Sequence, residues 1–389
     1  MAKRNKFEKL GKNDSYFENH PEETQGKKES GGLWRKVGKK TAEGVFGSTP
    51  ENVPEKEKVP SKFTFTRSKQ KVMYTDEPEI EIQKPDKAPF VLVLVSMALL
   101  LLGSAFLTSD LMAGKSGTAA TLAVVGVSVA AYIIPVIVYI LSSKNGIKPY
   151  NIKGFSASSM PIMAASLGVL LCAVALQKYF IAYTFSYSVP VVTSSQGVGI
   201  ALVVSALVPA FCEELLIRGV VQYEITKYAG GISGVVAGAL LFGFIHFDLQ
   251  YFMIYFTSGI VLGLLTHITH SVFPAMIVHF LNNTASVLLS DRLAFVATER
   301  IGGSFLMIVL AVFGFVMLLI LLQMIEKLCA KRAVGYAARK EEITENDEAY
   351  YFVAKDKGTL RRFGKVLVSP YMLSCLGLFA VVVICKLNF

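Results

Sequence analysis

Apolar segments begin at residue 88 and recur, with short polar interruptions, almost to the end of the chain. A helix crosses the hydrocarbon core of a bilayer with about 20 apolar residues. By that measure the chain has nine candidate spans, at roughly 88–109, 117–142, 158–184, 196–219, 231–247, 250–268, 272–290, 302–326 and 367–388. The pattern predicts an all-α, polytopic transmembrane bundle of about nine helices, of which the fifth and the seventh are short.

The polar part of the chain is concentrated at its N-terminus. Residues 1–87 hold 19 Lys and Arg and 15 Asp and Glu without a sustained helical or strand period, so we expect a disordered tail. The predicted organisation is a cytoplasmic tail at 1–87, a transmembrane body at 88–326, a cytoplasmic connection at 327–366 and a C-terminal transmembrane helix at 367–389. With 53% hydrophobic and 17% charged residues, the chain is not an ordinary soluble globular protein.

The formal charge of +10 could indicate a nucleic-acid partner, but about half of it flanks apolar segments, where Lys and Arg set membrane orientation. If the tail is cytoplasmic, the loop with Lys144, Lys148 and Lys153 and the basic connection at 327–366 fall on the same side as the tail. We therefore predict a multi-pass protein of the cell membrane with a cytoplasmic N-terminus. Its partners are expected to be membrane lipid and a peptide or protein substrate, not nucleic acid.

The cysteines offer neither a disulfide framework nor a metal site. The five cysteines, which are scattered without paired spacing and of which four lie in apolar runs, are Cys172, Cys212, Cys329, Cys375 and Cys385. Both disulfide-rich folds and cysteine metal sites need regular spacing.

Ionisable and polar side chains inside apolar segments are the candidates for chemistry. Each charged residue at the centre of a bilayer costs roughly 2.5 to 3.5 kcal/mol on insertion scales, so such residues are functional candidates by default. They fall on the fourth, fifth and seventh segments, as Glu213, Glu214 and Arg218, then His246, which follows Phe242 by four residues, then His279 and Asn283.

Helical spacing gives the two glutamates different environments. Glu214 and Arg218 are four residues apart and share a face, so they can form an ion pair, whereas Glu213 is turned about 100° away and is the free carboxylate. With a turn near Gly230, Glu213 lies 17 residues before the turn and His246 lies 16 residues after it. Antiparallel helices would therefore bring Glu213 and His246 to nearly the same depth.

His279 can reach that depth as well, provided that the fourth helix continues a few turns beyond the membrane. One carboxylate, two imidazoles and the amide of Asn283 suit the hydrolysis of an amide bond: a carboxylate aided by one histidine takes a proton from water, and the other donors stabilise the oxyanion. Glu213, His246 and His279 would equally make a zinc ligand set with an open water position. The residues alone leave both mechanisms open, and the cofactor is either a divalent metal or none.

The three motifs E-E-x-x-x-R, F-x-x-x-H and H-x-x-x-N, in this order on successive motif-bearing helices, resemble the CAAX protease and bacteriocin-processing (CPBP, or Abi) family of intramembrane proteases. This family includes the type II CAAX prenyl endopeptidase. The resemblance covers roughly residues 158–326 and implies an eight-helix protease-like core, to which the chain adds a C-terminal span.

The resemblance also implies roles for these residues. Glu213 would activate water together with His246, and His279 and Asn283 would form the oxyanion site. The remaining motif residues would support the architecture: Glu214, Arg218 and Phe242. Family members are commonly labelled metalloproteases, although a glutamate-dependent mechanism without bound metal has also been described for them.

The function predicted from these residues is an intramembrane endopeptidase that hydrolyses peptide bonds of lipid-anchored or membrane-associated substrates, prenylated ones among them. Two alternatives belong to other classes. A non-catalytic membrane immunity or scaffold protein would tolerate replacement of the glutamates, and an ion- or proton-coupled transporter would use the glutamates and histidines as a relay.

Overall fold

The computed structural model describes residues 87–112, 117–142, 152, 154–185, 197–289, 300–339 and 359–388. Within these ranges the regular structure is helical, without a strand, so the predicted all-α class is confirmed. The predicted tail at 1–87 lies outside the described residues except for its last position, as does the middle of the predicted connection at 327–366.

Ten helices follow one another in the described ranges. Their starts and ends agree with most predicted segments to within about three residues. The helices are α1 Ala88–Leu107, α2 Thr118–Ser142, α3 Met160–Phe185, α4 Val198–Ala229, α5 Gly231–Ile245, α6 Phe252–Thr269, α7 Val272–Leu288, α8 Arg300–Arg339, α9 Thr359–Leu367 and α10 Pro370–Asn388.

Seven helices of the described ranges contain a stretch that is long and apolar enough to cross a membrane, namely α1 to α4, α6, α8 and α10. The other two apolar helices, α5 and α7, are shorter, and they are the two segments predicted to be short. The protein is thus an integral membrane helical bundle. The count of nine spans stays a prediction, because α5 and α7 fall below the usual spanning length.

Helix α4 is longer than predicted and internally irregular. It runs ten residues beyond the predicted end at 219, to Ala229, which gives the extension that the depth of His279 requires. Two stretches of α4, Val203–Leu207 and Leu215–Val221, have the wider π-helical hydrogen bonding. Such stretches are rare and are found frequently at functional sites.

Helices α4 and α5 form a tight antiparallel pair. Gly230 joins them with φ +89°, a backbone conformation that favours glycine. At Gly234 an added Cβ would clash with the Thr226 hydroxyl, and at Gly238 it would lie 3.4 Å from the Cβ of Gln222. Small residues on α5 therefore bring its backbone close to the second half of α4.

The C-terminal region contains more helix than the sequence pattern indicates. Helix α8 continues from the predicted end at 326 to Arg339, and α9, which the pattern does not predict, precedes α10. Val366 of α9 is buried in the apolar cluster that α4 and α5 also form. The predicted connection at 327–366 is thus helical at both ends. The pattern did not predict α9, because a search for long apolar runs does not detect a short amphipathic helix.

Candidate active site

Glu214 and Arg218 form a buried ion pair, as their spacing predicts. The Arg218 Nη1 donates to Glu214 Oε1 at 2.8 Å, and both residues are almost completely inaccessible. The second guanidinium nitrogen donates to the carbonyl of Gly259 on α6 at 3.3 Å, and the guanidinium carbon lies 4.4 Å from the centre of the Phe242 ring on α5. This one cation therefore links three helices.

The same carboxylate holds His279 of α7. The His279 Nδ1 lies 2.8 Å from Glu214 Oε1, and since a carboxylate accepts, Nδ1 carries the proton. The other ring nitrogen, Nε2, is then a lone-pair acceptor in neutral His279 and a donor in the imidazolium. The sequence did not indicate this bond, which joins residues 65 positions apart.

His246 is oriented in a similar way by its own helix. It caps the C-terminal end of α5, and its Nδ1 donates to the Phe242 carbonyl at 2.7 Å. Its ring stacks on Tyr255 of α6, with centroids 3.7 Å apart and planes inclined by 18°, and meets the Phe242 ring edge-on at 4.8 Å. These contacts hold the ring in an orientation that places its Nε2 3.9 Å from Glu213 Oε2.

Glu213 lies between the two imidazoles. Its Oε2 is 3.9 Å from His246 Nε2 and 4.0 Å from His279 Nε2, and the residue is 7% exposed. These separations are too long for direct hydrogen bonds, but each is short enough for a water molecule about 2.8 Å from both partners to bridge it. Glu213 is thus the carboxylate outside the Arg218 pair, at the depth of His246.

Asn283 lies one turn beyond His279 on α7 and is half-buried. Its Oδ1 accepts from the amide nitrogen of Asn282 at 3.4 Å, which leaves Nδ2 as its donor group. Asn282 itself is 6% exposed. The sequence singled out Asn283 and passed over its more deeply buried neighbour.

Two further residues at the site were not predicted. Gln222 donates its Nε2 to the carbonyl of Gly263 at 2.9 Å, which repeats the bond from Arg218 to Gly259 one turn further along both helices. A signal existed for Gln222, because it follows Arg218 by four residues on the same face of α4. Tyr255 had none, since an aromatic residue in an apolar helix is ordinary.

The donor atoms as placed do not match a metal site. Zinc bonds of about 2.0–2.1 Å in tetrahedral geometry bring two ligand atoms to about 3.3 Å from each other, whereas the Glu213 oxygen lies 3.9 and 4.0 Å from the two histidine nitrogens. In the described part of the chain, no group of three His, Cys, Asp or Glu side chains is arranged to hold a metal ion. We therefore derive no step through a metal.

Residues 195–285 match the family model described as type II CAAX prenyl endopeptidase Rce1-like. Searches of curated proteins and of solved structures found no match. The matched segment begins just before α4 and ends within α7, so it contains all three motifs, and the resemblance inferred from them is confirmed for this segment. The match supports protease activity in a membrane protein.

Proposed function

We propose, from the Rce1-like segment at residues 195–285, that this protein is an intramembrane endopeptidase that uses Glu213 and His246 to activate water. The observation that carries the proposal is the convergence of the Glu213 carboxylate and two histidine Nε2 atoms at 3.9 and 4.0 Å. With Glu213 ionised and His246 neutral, Glu213 Oε2 and His246 Nε2 are both hydrogen-bond acceptors, because His246 Nδ1 carries the proton. A water molecule supplies the two donors that this pair needs, and His279 takes part as the imidazolium, whose Nε2–H is a donor.

The proposed reaction begins with attack of this water on the carbonyl carbon of the peptide bond. Glu213, assisted by His246, takes the proton, and the carbonyl electron pair moves onto oxygen. When the tetrahedral intermediate collapses, the carbon–nitrogen bond breaks and the same pair returns the proton to the leaving amine.

His279 and Asn283 are the proposed donors to the oxyanion. Glu214 accepts from His279 Nδ1 at 2.8 Å and so stabilises the imidazolium, whose Nε2–H can then bond the developing negative charge. Arg218 donates to Glu214 at 2.8 Å and so holds this carboxylate in place. We propose that Glu214, Arg218 and Phe242 act on the architecture of the site and not on the substrate.

The proposed substrate is a lipid-anchored or membrane-associated peptide. Glu213 and His279 are buried among apolar helices, so a peptide that is already held at the bilayer has the shortest path to them. A prenylated peptide is the member of this class that the matched family suggests.

We also propose that the N-terminus is cytoplasmic. The basic residues near the ends of the apolar helices favour this orientation. The turn at Gly230 and the segment after His246 lie at opposite ends of α5, so single cysteines introduced at these ends should react with impermeant reagents from opposite sides of the membrane. Equal labelling from one side would contradict the proposed topology.

Glu213→Gln tests the catalytic proposal. The amide keeps the shape of the side chain but cannot accept the proton, so we expect turnover of prenylated and unmodified membrane-anchored peptides to fall by at least about 10³-fold. The measurement uses purified protein in detergent and in proteoliposomes. Glu224→Gln is the matched control, because Glu224 is a glutamate of the same helix that pairs with Lys227 at 2.6 Å; this variant should keep full activity.

Two results would contradict the proposal. Unchanged cleavage by Glu213→Gln would exclude the assigned base. Absence of cleavage by the wild-type protein, combined with proton-dependent flux in proteoliposomes, would favour a transporter, and absence of both would favour a scaffold or immunity protein.

A further inference from the structure

We infer that the C-terminal helix α10, outside the matched segment, positions His246 by holding the loop that follows α5. This loop, residues 246–251, carries His246 at its start and leads into α6. The catalytic consequence of the inference rests on the proposed function, but the contact between α10 and the loop does not.

The loop leaves α5 in a strained conformation. The last turn tightens, with His246 N bonded to the Gly243 carbonyl and Phe247 N bonded to the Phe244 carbonyl. Phe247 then adopts φ +50°, a left-handed conformation that a bulky residue rarely takes and that persists only where its surroundings enforce it. The residue next to His246 therefore depends on outside contacts.

Lys386 of α10 supplies one such contact. Its Nζ donates to the Phe247 carbonyl at 3.0 Å. A cation at the C-terminal end of a helix is also favoured by the helix dipole and by the carbonyls left without partners there. The bond joins residues 139 positions apart, so it fixes the loop against a separate helix and not within its own hairpin.

Phe379 supplies a second contact two turns earlier on α10. It is 6% exposed, and its ring lies 5.3 Å from Phe244 and 5.7 Å from Phe252 between centroids. Phe244 precedes the loop and Phe252 follows it. Because Phe379 and Lys386 are seven residues apart, they share one face of α10. That face contacts Phe247 within the loop and the residues that flank the loop before its start and after its end.

The simplest alternative is that Lys386 only anchors α10 at the membrane interface, as lysines near helix ends commonly do. An anchoring lysine needs no defined partner, whereas Lys386 donates to the carbonyl of Phe247, the residue in the left-handed conformation. Release of that carbonyl would let the start of the loop relax and would move His246 away from the Tyr255 ring and from Glu213. The loss should then appear in kcat and not in KM, since His246 acts on water.

Lys386→Met, which keeps most of the length of the side chain and removes the donor, is the central test. In purified full-length protein we expect hydrogen–deuterium exchange of the amides at 246–251 to accelerate about 3- to 10-fold, as for the net loss of one hydrogen bond of ordinary strength. With a membrane-anchored peptide, kcat should fall by a similar factor at unchanged KM. Lys386→Arg should restore both values, and Val381→Ala, on the exposed face of α10, should change neither.

Phe379→Ala gives an independent variant, with the same direction expected for exchange in the loop. Unchanged exchange in both Lys386→Met and Phe379→Ala would overturn the inference. Faster exchange with unchanged kcat would show that α10 holds the loop without positioning His246, which also overturns it. If the wild-type protein cleaves no peptide, the proposed function fails, whereas the exchange measurement still decides whether α10 holds the loop.

Discussion

Helices α4 and α8 are both long and apolar, yet they have opposite surroundings. In their most apolar stretches, 44% of the residues of α4 are buried but only 11% of those of α8, although α8 is the more apolar of the two. Helix α4 carries Glu214 and Arg218 among its most deeply buried side chains, whereas Phe305 and Val312 of α8 are 70% and 62% exposed. Of these two helices the more apolar one is the more exposed, and the one whose apolar run is interrupted carries the site.

The difference follows from what each helix contacts. Helix α4 bonds α6 through Arg218 and Gln222 and meets α7 through Glu214. Helix α8 packs chiefly along α3, where Gly314 lies against Cys172. Lipid tails are as apolar as Leu or Val, so a helix gains little from burying apolar residues, and polar groups and close packing determine which helices assemble.

The largest difference expected between substitutions on the two helices is in catalysis. Glu213→Gln on α4 should remove most of the activity, whereas no substitution of a single lipid-facing residue on α8 should have a comparable effect. The next largest differences are in protein stability, and they distinguish α4 from α8 without a measurement of activity.

Arg218→Met should cause the largest loss of stability. It removes the cation from a buried pair and leaves Glu214 with His279 as its remaining partner, which costs about 3–5 kcal/mol in comparable cases. The thermal unfolding midpoint in detergent measures it. The double variant with Glu214→Gln should recover part of the loss, because no unpaired carboxylate is left; a double variant less stable than the single one would contradict an ion-pair role.

The sequence was sufficient for features that depend on position along a helix. The Glu214–Arg218 pair follows from i,i+4 geometry, and the common depth of Glu213 and His246 follows from counting residues around Gly230. Bonds that depend on which helices are lateral neighbours could not be predicted. The contacts of His279 with Glu214 and of Tyr255 with His246 are of this kind. Counting residues along the chain gives the depth of a side chain in the bundle but not the neighbouring helix that it contacts.

Helical structure outside the long apolar runs was harder to predict: α9 was missed, and the continuation of α4 beyond 219 entered only as a condition for the depth of His279. A window suited to spanning helices detects long apolar runs, and residues 220–229 are too polar for it, with Gln222, Glu224 and Lys227. The helix that residues 220–229 form is stabilised by contacts with other helices: the glycine face of α5 packs against it, and Gln222 donates to the Gly263 carbonyl of α6.

Gly263→Val tests that close packing and should have an intermediate effect. A Cβ at Gly263 would lie 2.9 Å from Gln222 Oε1 and 3.1 Å from a methyl carbon of Val235. We expect a loss of about 1–3 kcal/mol, the usual cost of overpacking, seen as a lower unfolding midpoint. Gly377→Val on α10 is the control, because a Cβ there meets open space. Equal losses in both variants would point to helix propensity and not to packing against α4.

Val312→Ala on α8 should have the smallest effect. The side chain is 62% exposed, so its truncation opens no cavity. Lipid then fills the space of a side chain that already contacted lipid, which changes the unfolding free energy little. We expect a change within about 0.5 kcal/mol in the unfolding free energy. Gly314→Val, two residues further along α8, is the matched test of the opposite face, since a Cβ there would lie 2.7 Å from the Cβ of Cys172. If Val312→Ala destabilised the protein as much as Gly314→Val, the exposed face of α8 would have to contact protein, and burial would no longer separate α8 from α4.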